Sequence, residues 1–315
     1  MKLIRNRPGR GDGAIVSGRS VVAIGNFDGV HRGHMALVDS CRDLAGPGEP
    51  VGVLTFEPLP MAFFRPAQAP ARLNTVYQKL EILASQGVDL VWMMRFDQEF
   101  AMLSAREFVR QVLVSDLNIR CVVVGEDFRF GRGKEGNVSM VRALGREFGF
   151  EVDIVPAVIS DGEMISSSGI RSKLAEADFE SAGRWLGRPF RMEGHVVRGA
   201  QLGRKLGYPT ANLKVRAEPC PLGGVLAVFS RINGGPWLPA VVNLGRRPAV
   251  GGREPLLEVH FFDFDDDIYG QRLDVQFVAK LRDEANFGNI DDLVVQMKQD
   301  DKLAREILAT LPLPA

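Results

Sequence analysis

Hydrophobic positions in the first 185 residues follow two alternating patterns. Four stretches place apolar residues at helical spacing, namely Met35–Leu44, Val76–Gln86, Ala105–Leu113 and Val138–Phe148. Between and around them, five short apolar runs have the length and composition of buried strands: Val21–Ile24, Val51–Phe56, Leu90–Phe96, Cys121–Val124 and Val152–Val155. Strands that alternate with helices predict an α/β domain whose parallel sheet is covered on both faces.

The pattern changes after two short helical segments, Ser168–Ala175 and Phe179–Leu186, and a break at Gly187-Arg-Pro189. From Phe190 to Leu281, short strand candidates recur without intervening helices, and Asn233-Gly234 is a strong hairpin signal. This pattern predicts an antiparallel barrel or sandwich. Apolar spacing then predicts a closing helix or helix pair over 290–311, and we expect two domains, at 1–186 and 187–315.

Composition narrows the classes of function. The 315 residues are 45% hydrophobic and contain 39 basic and 39 acidic side chains, so there is no charge excess of the kind that nucleic-acid binding requires. No run approaches the roughly 18 apolar residues of a membrane span, and no signal peptide is recognisable. The three cysteines, Cys41, Cys121 and Cys220, predict reduced thiols in a cytoplasmic protein. The oligomeric state stays open.

The candidate chemistry begins in Val22-Ala-Ile-Gly-Asn-Phe-Asp-Gly-Val-His-Arg-Gly-His34, a strand, a glycine-rich turn and a helix start. A helix N-terminus binds phosphate, and Gly25, Gly29 and Gly33 would let the backbone approach it closely. His31 and His34 are three residues apart, so both imidazoles lie on one face and can stabilise the charge of a departing pyrophosphate. The alternative is a common α/β turn that two histidines merely cap.

This stretch resembles the H-x-G-H signature of nucleotidyltransferases and the opening of bacterial bifunctional riboflavin kinase/FAD synthetases. Further stretches resemble that family's motifs in the same order: Gly125-Glu-Asp-Phe-Arg-Phe-Gly131, Ile165-Ser-Ser-Ser-Gly-Ile-Arg171, Gly203-Arg-Lys-Leu-Gly-Tyr-Pro-Thr-Ala-Asn-Leu213, Asn243-Leu-Gly-Arg-Arg-Pro248 and Glu258-Val-His260. The resemblance covers roughly Val21 to Asp300. It implies a Rossmann-like nucleotidyltransferase domain followed by a β-barrel riboflavin kinase domain.

For the first domain, the resemblance implies transfer of AMP from ATP to FMN, which gives FAD and pyrophosphate. His31, His34 and Arg171 would be catalytic. The residues that would bind nucleotide or flavin are Gly25, Phe27, Asp28, Gly29, Asp127, Ser166, Ser167 and Ser168. Taken alone, Asp127 could be only a turn residue, and the serines could be only helix caps.

For the second domain, the resemblance implies phosphorylation of riboflavin to FMN by Mg²⁺-ATP. Thr210 and Asn212 would hold Mg²⁺, for which hydroxyl and amide oxygens are suitable ligands. Glu258 would accept the proton of the attacking alcohol. The remaining binding residues would be Gly203, Arg204, Pro209 and Asn243.

Two other motifs have weaker interpretations. Gly131-Arg-Gly-Lys-Glu-Gly136 matches the G-x-G-x-x-G of dinucleotide-binding turns, but it follows the fourth predicted strand after an intervening segment. We interpret it as a flexible basic loop. Asp265-Asp-Asp267 is interpreted as an acidic turn.

The chain departs from the family's motifs at four positions. Leu59 replaces a histidine, Leu226 a tyrosine, Ala249 a threonine and Asn286 a lysine. Because three of these lie in the second domain, one alternative is an FMN adenylyltransferase whose β-domain only binds flavin. A second alternative is a regulator that binds flavin or nucleotide without turnover, and the intact histidine pair and Glu258 count against it.

Overall fold

The structure is a computed structural model, and it describes residues 1–5, 19–199, 203, 207–214, 220–246 and 255–314. Contacts divide the chain into two units. The first comprises Met1–Pro70 and Asn74–Ser167, and the second comprises Ala71–Leu73 and Ser168–Ala315. The domain boundary expected at residue 187 stays a prediction.

Six strands form the sheet of the first unit: β1 Lys2–Arg5, β2 Ser20–Ile24, β3 Val51–Glu57, β4 Leu90–Arg95, β5 Ile119–Gly125 and β6 Glu151–Val155. Their order is β1-β4-β3-β2-β5-β6, and all neighbours are parallel. The predicted parallel sheet is confirmed. Edge strand β1 escaped the sequence analysis because its four residues form too short a run. A two-stranded hairpin, β7 Ile159–Ser160 with β8 Glu163–Met164, follows.

Helices cover both faces of this sheet: α1 Arg32–Leu44, α2 Pro60–Phe64, α3 Val76–Ser85, α4 Gln98–Ala101, α5 Ala105–Glu107 and α6 Val138–Phe148. A π-helix, Phe108–Asp116, continues from α5, and 3₁₀ turns occupy Pro66–Gln68 and Arg132–Lys134. Alternate residues of β2 point to opposite faces. Val21 and Ala23 belong to the core formed with α1 and α3, whereas Val22 and Ile24 belong to the core formed with the π-helix and α6.

The strand order reverses at β2, because the chain adds β3 and β4 on one side of it and β5 and β6 on the other. Parallel sheets bind ligands at the carboxyl ends of the strands where such a reversal occurs. Gly25 follows β2 there, and Gly125 ends β5. The loops that begin at these two glycines are therefore where this fold would bind a ligand.

The second unit contains helices α7 Ser167–Ala175, apart from its first residue, and α8 Phe179–Leu186. It also contains a closed barrel of β9 Arg191–Val197, β10 Ala211–Lys214, β11 Gly224–Ile232, β12 Trp237–Arg246, β13 Pro255–Phe261 and β14 Arg272–Arg282. The barrel order is β10-β13-β12-β11-β14-β9, with antiparallel neighbours. The barrel is therefore confirmed over the sandwich. Asn233 and Gly234 have φ of 49° and 75° in the β11–β12 hairpin.

A single helix, α9 Ile290–Ala309, follows the barrel and packs against its outer surface. Ala304 and Leu308 of α9 join Ala227 and Phe229 of β11 in one buried cluster. Within the described residues, none of the helices has the length and apolar character needed to cross a membrane.

Candidate functional site

The two predicted imidazoles cap each other at the start of α1. The backbone N–H of His34 donates to Nδ1 of His31 at 3.3 Å, and that of His31 donates to Nδ1 of His34 at 3.4 Å. Their rings stack with centroids 3.7 Å apart. Because Nδ1 accepts in each case, each neutral ring carries its proton on Nε2. The capping role and the proposed chemistry are therefore compatible: Nδ1 fixes the helix start, and Nε2–H can donate to a ligand.

Tight packing fixes the orientation of both rings. Phe27 is fully buried at a φ of 48° and stacks on His34 with centroids 4.8 Å apart. A Cβ on Gly33 would lie 3.1 Å from Nδ1 of His31, so a side chain there would press on that ring. A Cβ on Gly25 would similarly lie 3.2 Å from the Phe27 ring. Phe27 thus supports the histidine pair from behind, and it is not part of the cavity wall.

Polar side chains from neighbouring elements hold the turn that precedes the histidines. The Asn26 carbonyl accepts from Thr55 Oγ1 at 3.0 Å and from Lys79 Nζ at 2.8 Å. The Gly29 N–H donates to Asn74 Oδ1 at 3.1 Å. Sequence reasoning missed Lys79 and Asn74, because a lysine in a helix and an asparagine before one are ordinary surface and capping residues.

The predicted serines have different surroundings. Ser166 and Ser167 line the cavity described below, and Ser167 Oγ donates to the carbonyl of Asp28 at 2.9 Å. Asp28 itself is only 2% exposed. Ser168 is exposed and belongs to the second unit, as does Arg171, whose Nε donates to the carbonyl of Ala71.

A cavity of about 800 Å³ opens beside the histidine pair at the carboxyl ends of β2 and β5. His31, His34, Gly25 and Asp127 contribute to its wall, and Asp127 is exposed. Seven phenylalanines also contribute to the wall: Phe56, Phe64, Phe96, Phe100, Phe108, Phe128 and Phe130. Phe128 and Phe130 stack with centroids 5.1 Å apart. Phenyl groups around a polar end suit a ligand that has a flat ring system and a phosphate.

The G-x-G-x-x-G stretch has a different geometry from a dinucleotide-binding turn. Phe130 and Gly136 exchange backbone hydrogen bonds of 3.2 and 2.9 Å, so the loop closes on itself before α6 begins. A Cβ on Gly131 would lie 2.6 Å from the backbone nitrogen of Ala105. The loop carries Lys134 at a φ of 60°, and Gly131, Gly133 and Lys134 line the cavity.

A second group of candidates lies in a row across three barrel strands. Asn212 of β10 is the direct partner of Glu258 of β13, and Glu258 is in turn the partner of Asn243 of β12. Directly opposed residues share one face of a sheet. All three line a cavity of about 560 Å³ on the barrel face that α9 covers, together with Thr210 and Gly203.

Asn212 has an unusual environment. Its side chain is 5% exposed, Nδ2 donates to the carbonyl of Thr210 at 3.4 Å, and Oδ1 has no hydrogen-bond partner in the described part of the chain. A buried acceptor without a partner costs free energy unless a ligand satisfies it. Gly199 packs so closely on this amide that a Cβ there would lie 2.5 Å from Nδ2. Sequence reasoning missed Gly199.

His260 fixes the segment at Pro209, which leads into Thr210 and Asn212. Its Nδ1 lies 2.8 Å from the carbonyl of Pro209, so Nδ1 carries the proton and donates. Its ring also packs on Tyr208, with centroids 5.1 Å apart. Burial, and secondly the charge of Asp301, raises the pKa of Tyr208 above its ordinary value.

The far wall of this cavity comes from the segment between β14 and α9. Arg282 donates to both carboxylate oxygens of Asp300, at 2.8 to 3.1 Å, and so fastens α9 to the barrel. Asn286, one of the departures from the family, lines the cavity. Leu226 is fully buried and alternates with Val225, a lining residue, so it faces away from the cavity.

Two sequence candidates cannot be placed in this way. Arg204 and Ala249 lie outside the described residues. Leu59, in the first unit, precedes α2 and is 8% exposed without a side-chain capping hydrogen bond. No group of three or more His, Cys, Asp or Glu side chains within the described ranges is placed to hold a metal ion.

Comparisons with known proteins give two family matches. Residues 15–169 match the family model of FAD synthetase, and residues 186–308 match that of riboflavin kinase. An Escherichia coli K12 protein described as a bifunctional riboflavin kinase/FMN adenylyltransferase is 42% identical over 287 residues, which are 91% of this chain and 92% of that protein. A Haemophilus influenzae protein of the same description is 40% identical over 285 residues, 90% of this chain and 92% of that one.

A solved structure from Streptococcus pneumoniae, described as a macrolide-efflux protein, is also similar. It is 31% identical with a TM-score of 0.81, and the match covers 96% of this chain and 98% of that one.

Proposed function

Because the chain belongs to the family of bifunctional riboflavin kinase/FMN adenylyltransferases, we propose that it makes FMN from riboflavin in its barrel and FAD from FMN in its parallel-sheet unit. ATP supplies the phosphoryl group in the first reaction and AMP in the second. As part of this proposal, both reactions take place in the cytoplasm, where ATP is available.

The observation that carries the proposal is the reciprocal capping of His31 and His34. In adenylyl transfer, a phosphate oxygen of FMN forms a bond to the α-phosphorus of ATP, and the bond from that phosphorus to pyrophosphate breaks. Negative charge grows on the departing pyrophosphate. Two Nε2–H groups, held by their Nδ1 hydrogen bonds, can donate to it without moving during the reaction.

The surrounding residues support the same reaction. The aromatic wall would take the isoalloxazine ring of FMN, and Asp127 would bind a polar edge of flavin or nucleotide. Gly25 and Gly29 leave room for phosphate near the start of α1. Phe27, Asp28 and Ser167 would act by holding this turn in place. Ser166, Ser168 and Arg171 would bind the triphosphate, as the resemblance implies.

In the barrel, Glu258 would act as the general base. Its carboxylate would take the proton of the ribityl 5′-hydroxyl while that oxygen forms a bond to the γ-phosphorus of ATP, and ADP would leave. Asn243, Gly203, Arg204 and Pro209 would shape the substrate site, and His260 holds Pro209 in position.

Asn212 and Thr210, beside Glu258 in the barrel cavity, fit Mg²⁺. Asn212 offers a buried amide oxygen without a partner in the described chain, and the Thr210 hydroxyl lines the same cavity. Mg²⁺ is commonly held by one or two protein oxygens together with substrate phosphates and water. Bound there, the ion would neutralise the phosphates of ATP.

The experiment is incubation of the purified protein with riboflavin, ATP and Mg²⁺, followed by chromatographic separation of the flavins. We expect FMN to accumulate first and FAD later, with one ADP for each riboflavin consumed and one pyrophosphate for each FAD. FAD formation from added FMN, but not from riboflavin, would favour the single-activity alternative. Tight flavin binding without ATP turnover would favour the regulator.

A further inference from the structure

Lys79 is a buried lysine to which no sequence motif assigned a role. It lies in the first turn of α3, and its side chain is fully buried. Lysine is almost never buried completely, because removing an ammonium from water costs several kcal/mol. The ammonium donates to the carbonyl of Asn26 at 2.8 Å and to Thr55 Oγ1 at 3.4 Å. Both contacts lead to the turn that carries the histidine pair.

The contact with Asn26 fixes one peptide group of that turn. The Asn26–Phe27 peptide is trans, so its carbonyl and its N–H point in opposite directions. Since the carbonyl accepts from both Lys79 and Thr55, the N–H of Phe27 points away from Lys79.

The same segment of chain holds the turn at a second point. Asn74 lies just before α3 and accepts the Gly29 N–H at 3.1 Å. Thr75 and Gln78 form a capping box that fixes the start of α3 between these two contacts. The helix start therefore holds both ends of the Asn26–Gly29 turn.

We propose that Lys79 is a positioning residue for adenylyl transfer, whose ammonium fixes the Asn26–Phe27 peptide and with it Phe27, the ring on which His34 stacks beside the cavity. This inference rests on the proposed function of the first unit. It adds a residue that acts through the backbone and does not touch substrate.

The test compares Lys79→Met, Lys79→Gln and Thr55→Val. Methionine has nearly the same length but removes the charge and the donor, glutamine keeps a neutral donor, and valine removes the other hydrogen bond to Asn26. For adenylylation of FMN, we expect kcat to fall about 30-fold or more in Lys79→Met, about tenfold in Lys79→Gln and about threefold in Thr55→Val, with the KM for FMN unchanged. The reverse reaction, from FAD and pyrophosphate, should slow by the same factors.

Leu83→Ala is the matched control, because Leu83 is fully buried on the same helix, in the core cluster that also contains Phe27, and its apolar side chain cannot hydrogen-bond to Asn26. It should lower the thermal midpoint without changing kcat. A kcat within threefold of wild type in Lys79→Met would overturn the proposal, as would an equal loss in Leu83→Ala. If Lys79→Met does not fold, Lys79→Gln decides by the same criterion. An inactive wild-type protein would instead refute the proposed function.

Discussion

Asn212 and Glu258 are direct partners across adjacent antiparallel strands of the barrel. Side chains in such a pair have Cβ atoms about 4.5 to 5.5 Å apart, and backbone hydrogen bonds fix that separation. Under the proposed function, a phosphate bound through Mg²⁺ at Asn212 would therefore lie within reach of a hydroxyl that Glu258 would deprotonate. Phosphoryl transfer depends mainly on such positioning, and the barrel supplies it through strand register.

Replacing Glu258 with Gln should separate the two activities. The amide keeps the shape of the side chain but cannot take a proton, so kcat for phosphorylation of riboflavin should fall about 10²- to 10⁴-fold. Adenylylation of added FMN should stay at the wild-type rate, because the other unit performs it. Steady-state assays of both reactions on the same preparation measure this.

Asp265→Asn is the control for the loss of a carboxylate on the same barrel, because Asp265 is exposed and does not line the Glu258 cavity. It should leave both rates unchanged. Wild-type phosphorylation by Glu258→Gln would remove Glu258 from the role of base.

His31 can be tested without losing its helix cap. Asparagine is a good N-cap residue and keeps an acceptor for the His34 N–H, but it has no equivalent of the Nε2–H donor. We expect His31→Asn to abolish adenylylation with wild-type stability, and His31→Ala to abolish it and lose about 1 kcal/mol of stability. Urea unfolding and FAD formation distinguish the two variants. Normal FAD formation by His31→Asn would show that the imidazole is only a cap.

The sequence predicted the strands and helices whose residues pack on the cores, because burial imposes a regular spacing of apolar side chains. Helix α6 was predicted with the bounds it has, Val138–Phe148, and the hairpin at Asn233-Gly234 was also correct. The hydrophobic pattern left barrel and sandwich open. Closure depends on β9 pairing with both β10 and β14, contacts between segments far apart in sequence.

The site was predictable only where its residues form contiguous motifs. His31 and His34 lie one turn apart, and family motifs marked Asn212 and Glu258. Lys79 and Gly199 act across 53 and 13 residues of sequence, on Asn26 and Asn212 respectively. No local pattern distinguishes a lysine that is buried under a distant turn from one that lies in solvent.

The stability of the first unit should fall in alkaline solution. Burial, and next the charge of Glu151, raises the pKa of Cys121 from 9.0 to about 11, and burial raises the pKa of Cys41 as well. Above pH 9 the unfolded thiols therefore ionise while the folded ones keep their protons, which favours unfolding. Between pH 9 and 10, each thiol should cost about 1 kcal/mol of unfolding free energy.

Urea unfolding at pH 8, 9 and 10 measures this loss. The double variant Cys41→Ala/Cys121→Ala lacks both thiols. Between pH 9 and 10, its free energy of unfolding should therefore fall by about 2 kcal/mol less than that of the wild type. Parallel pH dependences of the two proteins would contradict the assignment.

Gly199→Ala should lower riboflavin phosphorylation, although Gly199 lies outside the family motifs. The new Cβ would lie 2.5 to 2.7 Å from the Asn212 amide, which must turn away and take Oδ1 with it. Since Oδ1 is the oxygen that fits Mg²⁺, we expect riboflavin phosphorylation to fall at least tenfold and to require more Mg²⁺ for half-maximal rate. FAD formation from FMN should not change. Gly223→Ala is the matched control, because among the described residues its Cβ would meet only the Leu244 carbonyl, at 3.8 Å. An unchanged Mg²⁺ requirement in Gly199→Ala would show that the Asn212 amide does not hold the ion.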